Sequence, residues 1–307
     1  MDKDWISGQY LRPIQLLNGQ KYDGHKSLHD ENMANKLGFA GAPIEGCTHL
    51  SQFAPLLIRV FGDEWLVSGC ISTHYKSMVF EGEKVKAFAK LPDKNSKLTD
   101  IWMEKEDGTI VLSGSAGIGP NHEISSLDKL MSKLDKPKDL VILSGIIEGM
   151  KDSSKTPVRM YFDQHMGDLY PFTLNEKLAV ITEPMQWYTD KGGRESPWGK
   201  PIIPIEMISV LTNYSGSLSN FPVKGPVIGL FANQEIKLIN GPLFVGESYQ
   251  IEREIIALSQ SKRVETYWCM TRVYNKDDTL LAECLLNQAF LKDSYENYEE
   301  ELKIISS

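Results

Sequence analysis

Residues 29–53 read HDENMANKLGFAGAPIEGCTHLSQF. Two helical patterns flank a connection, Gly38 to Ile44, that reads Gly-Phe-Ala-Gly-Ala-Pro-Ile. The first pattern, residues 28–37, stops at Gly38, a residue suited to the left-handed position past a helix end. The second covers roughly 45–61 and sets Cys47, Leu50, Ala54, Leu57 and Phe61 along one face. Pro55 lies inside it and is expected to kink or break it. His29 leads the first pattern and Gly46 leads the second. One short segment therefore brings together an imidazole and a helix N-terminus. The imidazole titrates near neutrality, and the unpaired amides of a helix start suit an oxygen that gains negative charge.

Four strand-like runs follow: GCISTHYKSMVF, EKVKAFAKLP, KLTDIWMEKE and TIVLSGSAGIG, with a hairpin at 106–109 between the last two. YLRPIQLL precedes the helices as an opening strand. The pattern then returns. Gly41-Ala-Pro43-Ile44 recurs as Gly199-Lys-Pro201-Ile202, offset by 158, and Phe80-Glu-Gly82-Glu83 as Phe244-Val-Gly246-Glu247, offset by 164. Trp102 recurs as Trp268, and Asp107-Gly-Thr109 as Asp277-Asp-Thr279, offset by 170. Matches in the same order with a smoothly growing offset predict internal duplication. In the second half PVRMYFDQ reads as a strand, a helix starts near Pro204, and PVIGLFANQEIKLI, SYQIEREIIALS, VETYWCMTRVYN and LLAECLLNQAFL read as strands. The expected division is 1–120, a Ser-, Lys- and Asp-rich linker at 121–155, and 156–307. A helix backed by antiparallel strands, occurring twice, is an α+β layer arrangement in which each curved sheet wraps around its helix.

The 307 residues are 41% apolar and 24% charged, as in a soluble globular protein. No run of about 18 apolar residues predicts a membrane span, and MDKDWISGQYLR lacks the apolar centre of a secretory signal. Cys47, Cys70, Cys269 and Cys284 show no CxxC pairing, so reduced thiols in a cytoplasmic protein are expected and a zinc site is not. A net charge of −8 argues against nucleic acid as a partner. Neither a phosphate-binding glycine loop nor a metal-ligand cluster occurs, and no cofactor is expected.

The order of elements, with NMANKLGFAGAPIEG and MVFEGEKVKAFAKL as the nearest matches, resembles the hotdog fold. The duplicated form resembles the tandem, double-hotdog proteins of the MaoC-like hydratase/dehydratase group. That resemblance implies interconversion of enoyl and 3-hydroxyacyl thioesters, carried by CoA or a carrier protein, and pairing into a homodimer. It implies an aspartate and a histidine on one loop, with amides at the buried helix start holding the thioester carbonyl. In the group's Asp-x-Asn-Pro-x-His stretch the acid precedes the histidine by five residues. Here Asp23 precedes His29 by six and Asn-Pro is missing.

By that resemblance His29 moves the proton and Asp23 orients it, with His25 as an understudy. Asp30 is an alternative acid, although Ser27-x-x-Asp30 also fits a capping box. Gly46 and Cys47 offer amides to the thioester oxygen. Cys47 is either an inert buried thiol or one activated at a helix start. Glu45 and His49 flank that start, and Glu45 would serve as the carboxylate of a hotdog thioesterase, the rival enzyme. In the second half Trp187 stands at the position equivalent to His29, so that half is expected to be a tunnel wall lined by Trp187. Glu206 is the one carboxylate near the second helix start that could face His29. A non-catalytic acyl-binding protein is the third reading. Replacing His29 separates the three.

Overall fold

The computed structural model describes residues 4–22, 25–36, 38–152 and 157–306. In chain order its strands are β1 (Trp5–Ser7), β2 (Lys21–Tyr22), β3 (His25–Lys26), β4 (Gly69–Tyr75), β5 (Val85–Lys90) and β6 (Leu98–Lys105). They continue as β7 (Ile110–Ile118), β8 (Val158–Arg159), β9 (Gly229–Leu238), β10 (Ser248–Gln260), β11 (Val264–Tyr274) and β12 (Leu280–Leu291). The helices are α1 (Glu31–Lys36), α2 (Ala54–Phe61), α3 (Trp65–Ser68) and α4 (Ser126–Met131), then α5 (Leu174–Val180), α6 (Asp190–Arg194), α7 (Ile205–Asn213) and α8 (Tyr298–Ile305).

Ten strands form one sheet in the order β1-β5-β6-β7-β4-β9-β12-β11-β10-β8. Read outward from the β4/β9 seam, the two sides repeat the same connectivity. At the seam Ile71 lies opposite Ile236 and Thr73 opposite Gln234. The repeated motifs meet each other in the same way in both halves. Pro43 bridges to Phe80, and Ile202 to Phe244. The Ile44 amide donates to Val79 and the Ile203 amide to Leu243. The turns that follow use Gly82 and Gly246 at φ of 90° and 85°, where a side chain would be strained. This is the double hotdog fold, α+β in class.

The central helix of the first half changes type along its length. Residues Gly46–Phe53 form a 3-10 helix and Ala54–Phe61 an α-helix. Pro55 is the reason. It has no N–H to give to Ser51, and the Ala54 amide takes that carbonyl instead. The expected single helix over 45–61 is thus two joined pieces. Leu50, Phe53 and Leu57 on it, with Met207 and Leu211 on α7, are fully buried in one core. Each such side chain contributes about 1.5–3 kcal/mol by leaving water.

Other expectations shift more. The opening strand is β1, not YLRPIQLL, of which Leu11 alone bridges to Val85 before Pro13 removes a donor. PVRMYFDQ keeps only the two-residue β8. The stretch read as a linker is packed. It carries α4, closed by a Ser125/Asp128 capping box, and Val141, Ile142 and Leu143 are fully buried. The buried Glu265 carboxylate accepts the Val141 and Leu143 amides at 2.8 and 2.9 Å and the Tyr298 hydroxyl at 2.9 Å. No helix among the described residues is long and apolar enough to cross a membrane.

Candidate active site

Between the two halves lies a cavity of about 990 Å³. Its lining includes His29, Glu45, Gly46, His49, Tyr75 and Tyr170, together with Phe221, Leu230, Arg253, Tyr267, Gln288 and Phe290.

His29 is held on the loop before α1. Its amide donates to Ser27 Oγ at 3.1 Å, and its carbonyl accepts from Gln15 Nε2 at 3.3 Å. Leu28 and Ala34 pack against Ile228 and Leu291, so the second half clamps this loop. The ring's Nδ1 lies 2.7 Å from the Pro43 carbonyl oxygen. A carbonyl only accepts, so Nδ1 carries the proton and Nε2 keeps its lone pair. Burial lowers the His29 pKa below its ordinary value, while the Glu45 carboxylate and the Pro43 carbonyl oppose that shift.

Asp30 is the cap of α1, accepting the Met33 amide on Oδ1 at 3.0 Å. The expected capping box led by Ser27 is not formed, because Ser27 turns to the His29 amide instead. The helix then closes as Gly38, at φ of 80°, lets the Phe39 amide reach back to the Ala34 carbonyl. Asp23 and the side chain of His25 lie outside the described residues.

Glu45 supplies a carboxylate in the same cavity wall as His29 and is 7% exposed. It precedes the 3-10 helix without capping it, so the Gly46 and Cys47 amides head that helix with no side-chain acceptor. Gly46 is required there: a Cβ would come within 2.7 Å of the Tyr75 ring. Tyr75 is fixed in turn by donating to Gln234 Oε1 at 3.1 Å, and Gln234 Nε2 donates to Ser209 on α7. Burial, reinforced by the Glu45 carboxylate, keeps the Tyr170 hydroxyl protonated.

The remaining sequence candidates fall differently. The Cys47 thiol is 1% exposed and burial pushes its pKa well up, so it is an inert thiol. His49 lines the cavity but stays neutral, since burial and the charges of Lys177 and Lys105 push its pKa down to about 3. Trp187 does not line the cavity. It packs edge-to-face on Trp198 at 5.4 Å and against the core, and Trp198 meets Phe244 at 6.4 Å. Glu206 does not line the cavity either. It is 1% exposed on α7, 3.7 Å from Lys177 Nζ, and burial pushes its pKa up to about 7. Lys177 reaches across from α5 and donates to Thr48 at 3.0 Å. Sequence reading passed over Tyr75, Tyr170, Lys177 and Arg253, which no local motif marks. Among the described residues no group of three or more His, Cys, Asp and Glu could hold a metal ion.

No family model and no curated protein matches the chain. Solved structures do. A MaoC domain protein of Chloroflexus aurantiacus aligns at a TM-score of 0.56 and 13% identity, over 94% of this chain and 95% of its own. A conserved Mycobacterium tuberculosis protein with a double hotdog fold gives 0.54 at 11% identity, over 94% and 96%. A MaoC-like dehydratase gives 0.51 at 12% identity, over 92% and 97%. At these identities the shared property is the fold.

Proposed function

We propose that the protein is a hydratase/dehydratase that interconverts enoyl and 3-hydroxyacyl thioesters, with His29 as the group that moves the proton. The observation that carries this reading is the His29–Pro43 contact, which presents an unprotonated Nε2 beside a cavity headed by uncapped amides. In hydration, Nε2 takes a proton from water as the oxygen bonds to C3 of the enoyl group. The electron pair of the C2=C3 bond moves toward the thioester oxygen, which accepts hydrogen bonds from the Gly46 and Cys47 amides. The imidazolium then returns its proton to C2 and the carbonyl re-forms. Glu45 stabilises the imidazolium between these two transfers, which is why its charge opposes the lowering of the His29 pKa. Dehydration is the reverse.

The substrate's carrier would be CoA or a carrier protein. The test is loss of the conjugated enoyl-thioester absorbance by wild type, His29→Ala and Glu45→Gln. The buried Glu45 at the helix start favours one second reading, a thioesterase in which that carboxylate attacks or activates water. Thiol release that survives in His29→Ala but disappears in Glu45→Gln would select it.

A further inference from the structure

The second half carries a polar pair at a place where the first half has none. The tryptophan repeat sets the comparison: Trp102 lies opposite Ser113, and Trp268 opposite Asn287. One residue along, the first half pairs Ile101 with Gly114, while the second pairs Tyr267 with Gln288. Ile101 is core. Tyr267 and Gln288 instead line the cavity. The Tyr267 hydroxyl donates to Gln288 Oε1 at 2.7 Å. Among the described residues this is the hydrogen bond that the Gln288 amide group makes, which leaves its Nε2 protons for another acceptor.

Two features of the backbone serve this amide. A β-bulge sets Asn287 opposite Asn233 but Gln288 opposite Phe231, which re-aims the side chains around Ala232. Gly229 keeps room for the amide, since a Cβ there would come within 3.0 Å of Gln288 Nε2. The surroundings are aromatic: Tyr267 lies 5.4 Å from Phe290 and 6.3 Å from Phe221, ring centre to ring centre. An amide donor that a bound ligand shuts off from water is costly unless something accepts from it. The cavity is also near the upper end of ordinary ligand pockets, which run to about 1,000 Å³, so it has room for far more than a short acyl group.

We propose that Gln288, held by Tyr267, recognises an oxygen carried by the acyl chain, so that the acyl group is a long chain bearing a keto or hydroxyl oxygen. This rests on the acyl-thioester reading above. A plain alkyl chain would leave the amide without a partner, and discrimination would follow from that loss.

The experiment compares kcat/KM for a twelve-carbon enoyl thioester and its keto analogues, with the oxygen moved along the chain beyond the double bond. Wild type should prefer one analogue over the plain chain by about tenfold or more. Gln288→Leu should abolish that preference, with kcat/KM for the keto substrate falling to that for the plain one. Tyr267→Phe, the smaller change, should lose part of it. Equal turnover of all chains, unaffected by Gln288→Leu, would overturn the subsite and leave the hydratase reading standing. If nothing turns over, the hydratase reading fails, and calorimetric binding of the saturated keto and plain thioesters decides the subsite. A keto preference lost in Gln288→Leu supports it, and equal binding refutes it.

Discussion

His29 Nδ1 and the Pro43 carbonyl oxygen, 2.7 Å apart, join the two ends of the segment that defines the site. The contact spans the whole of α1 and the Gly-Phe connection. It orients the ring and fixes its tautomer with the same bond. Pro43 is also the residue that bridges to Phe80, so the imidazole is anchored to the β4–β5 connection through a single peptide.

The pH dependence of turnover follows from this arrangement. His29 acts as a base when neutral, and burial holds its pKa below 6.5. Activity should therefore fall only as pH drops through a midpoint below that value. Because Glu45 raises the His29 pKa, Glu45→Gln should move the acid limb to still lower pH. A kcat/KM profile of both proteins measures it, and a limb that moves upward contradicts the pairing.

Gly46 should not tolerate a side chain. In Gly46→Ala the new Cβ meets the Tyr75 ring at 2.7 Å. Repacking should cost about 1–3 kcal/mol of stability and displace the amides that hold the carbonyl. Urea unfolding and kcat together check this. Full stability with full activity would show that the ring can move aside.

Glu206 gives the folded protein a pH-dependent liability. Its pKa rises from an ordinary 4.5 to about 7 on folding, so the folded chain keeps a proton that the unfolded chain releases. The associated stability is present below about 4.5 and is lost as pH rises through about 7. Between those limits wild type should lose on the order of 3 kcal/mol relative to Glu206→Gln. Urea midpoints of both proteins across pH 4.5–8 measure the divergence, and parallel curves would refute it.

Arg253 ties several elements of the second half together. It donates to Asp152 at 2.7 Å, the Thr212 carbonyl at 2.8 Å, Ser215 at 2.8 Å and Ser219 at 3.1 Å, and is 4% exposed. Arg253→Met should cost about 3–5 kcal/mol by removing the guanidinium from its buried ion pair with Asp152. A change below about 1 kcal/mol in chemical unfolding would show that this pair adds little to stability.

The fold was legible because its repeats are the contacts that build it. Pro43 with Phe80 and Ile202 with Phe244 are paired motifs, and Gly82 and Gly246 stand in matching left-handed turns. His29, Glu45, Gly46 and His49 share the cavity wall because they sit in one contiguous stretch. The second half read less well, and the reason is a register difference of one residue. The amides of Ile44 and Ile203 make the same bond, so the offset at the helix start is 159 rather than 158. One residue turns a helical side chain by about 100°. Glu206 therefore matches Cys47, which is also turned away from the cavity. Trp187 was placed by sequence offset alone, yet its ring has Trp198 to pack on, and burying it there removes apolar surface from water. Gln288 and Arg253 carry no local motif, and only the strand register brings them to the cavity.

The most direct test is the enoyl-thioester absorbance assay on wild type and His29→Ala, across short, medium and long acyl chains. The proposed chemistry predicts that wild type bleaches the absorbance and that His29→Ala, still folded by circular dichroism, loses at least about 100-fold in kcat. Equal rates in the two proteins, or no turnover of any chain by wild type, would contradict it.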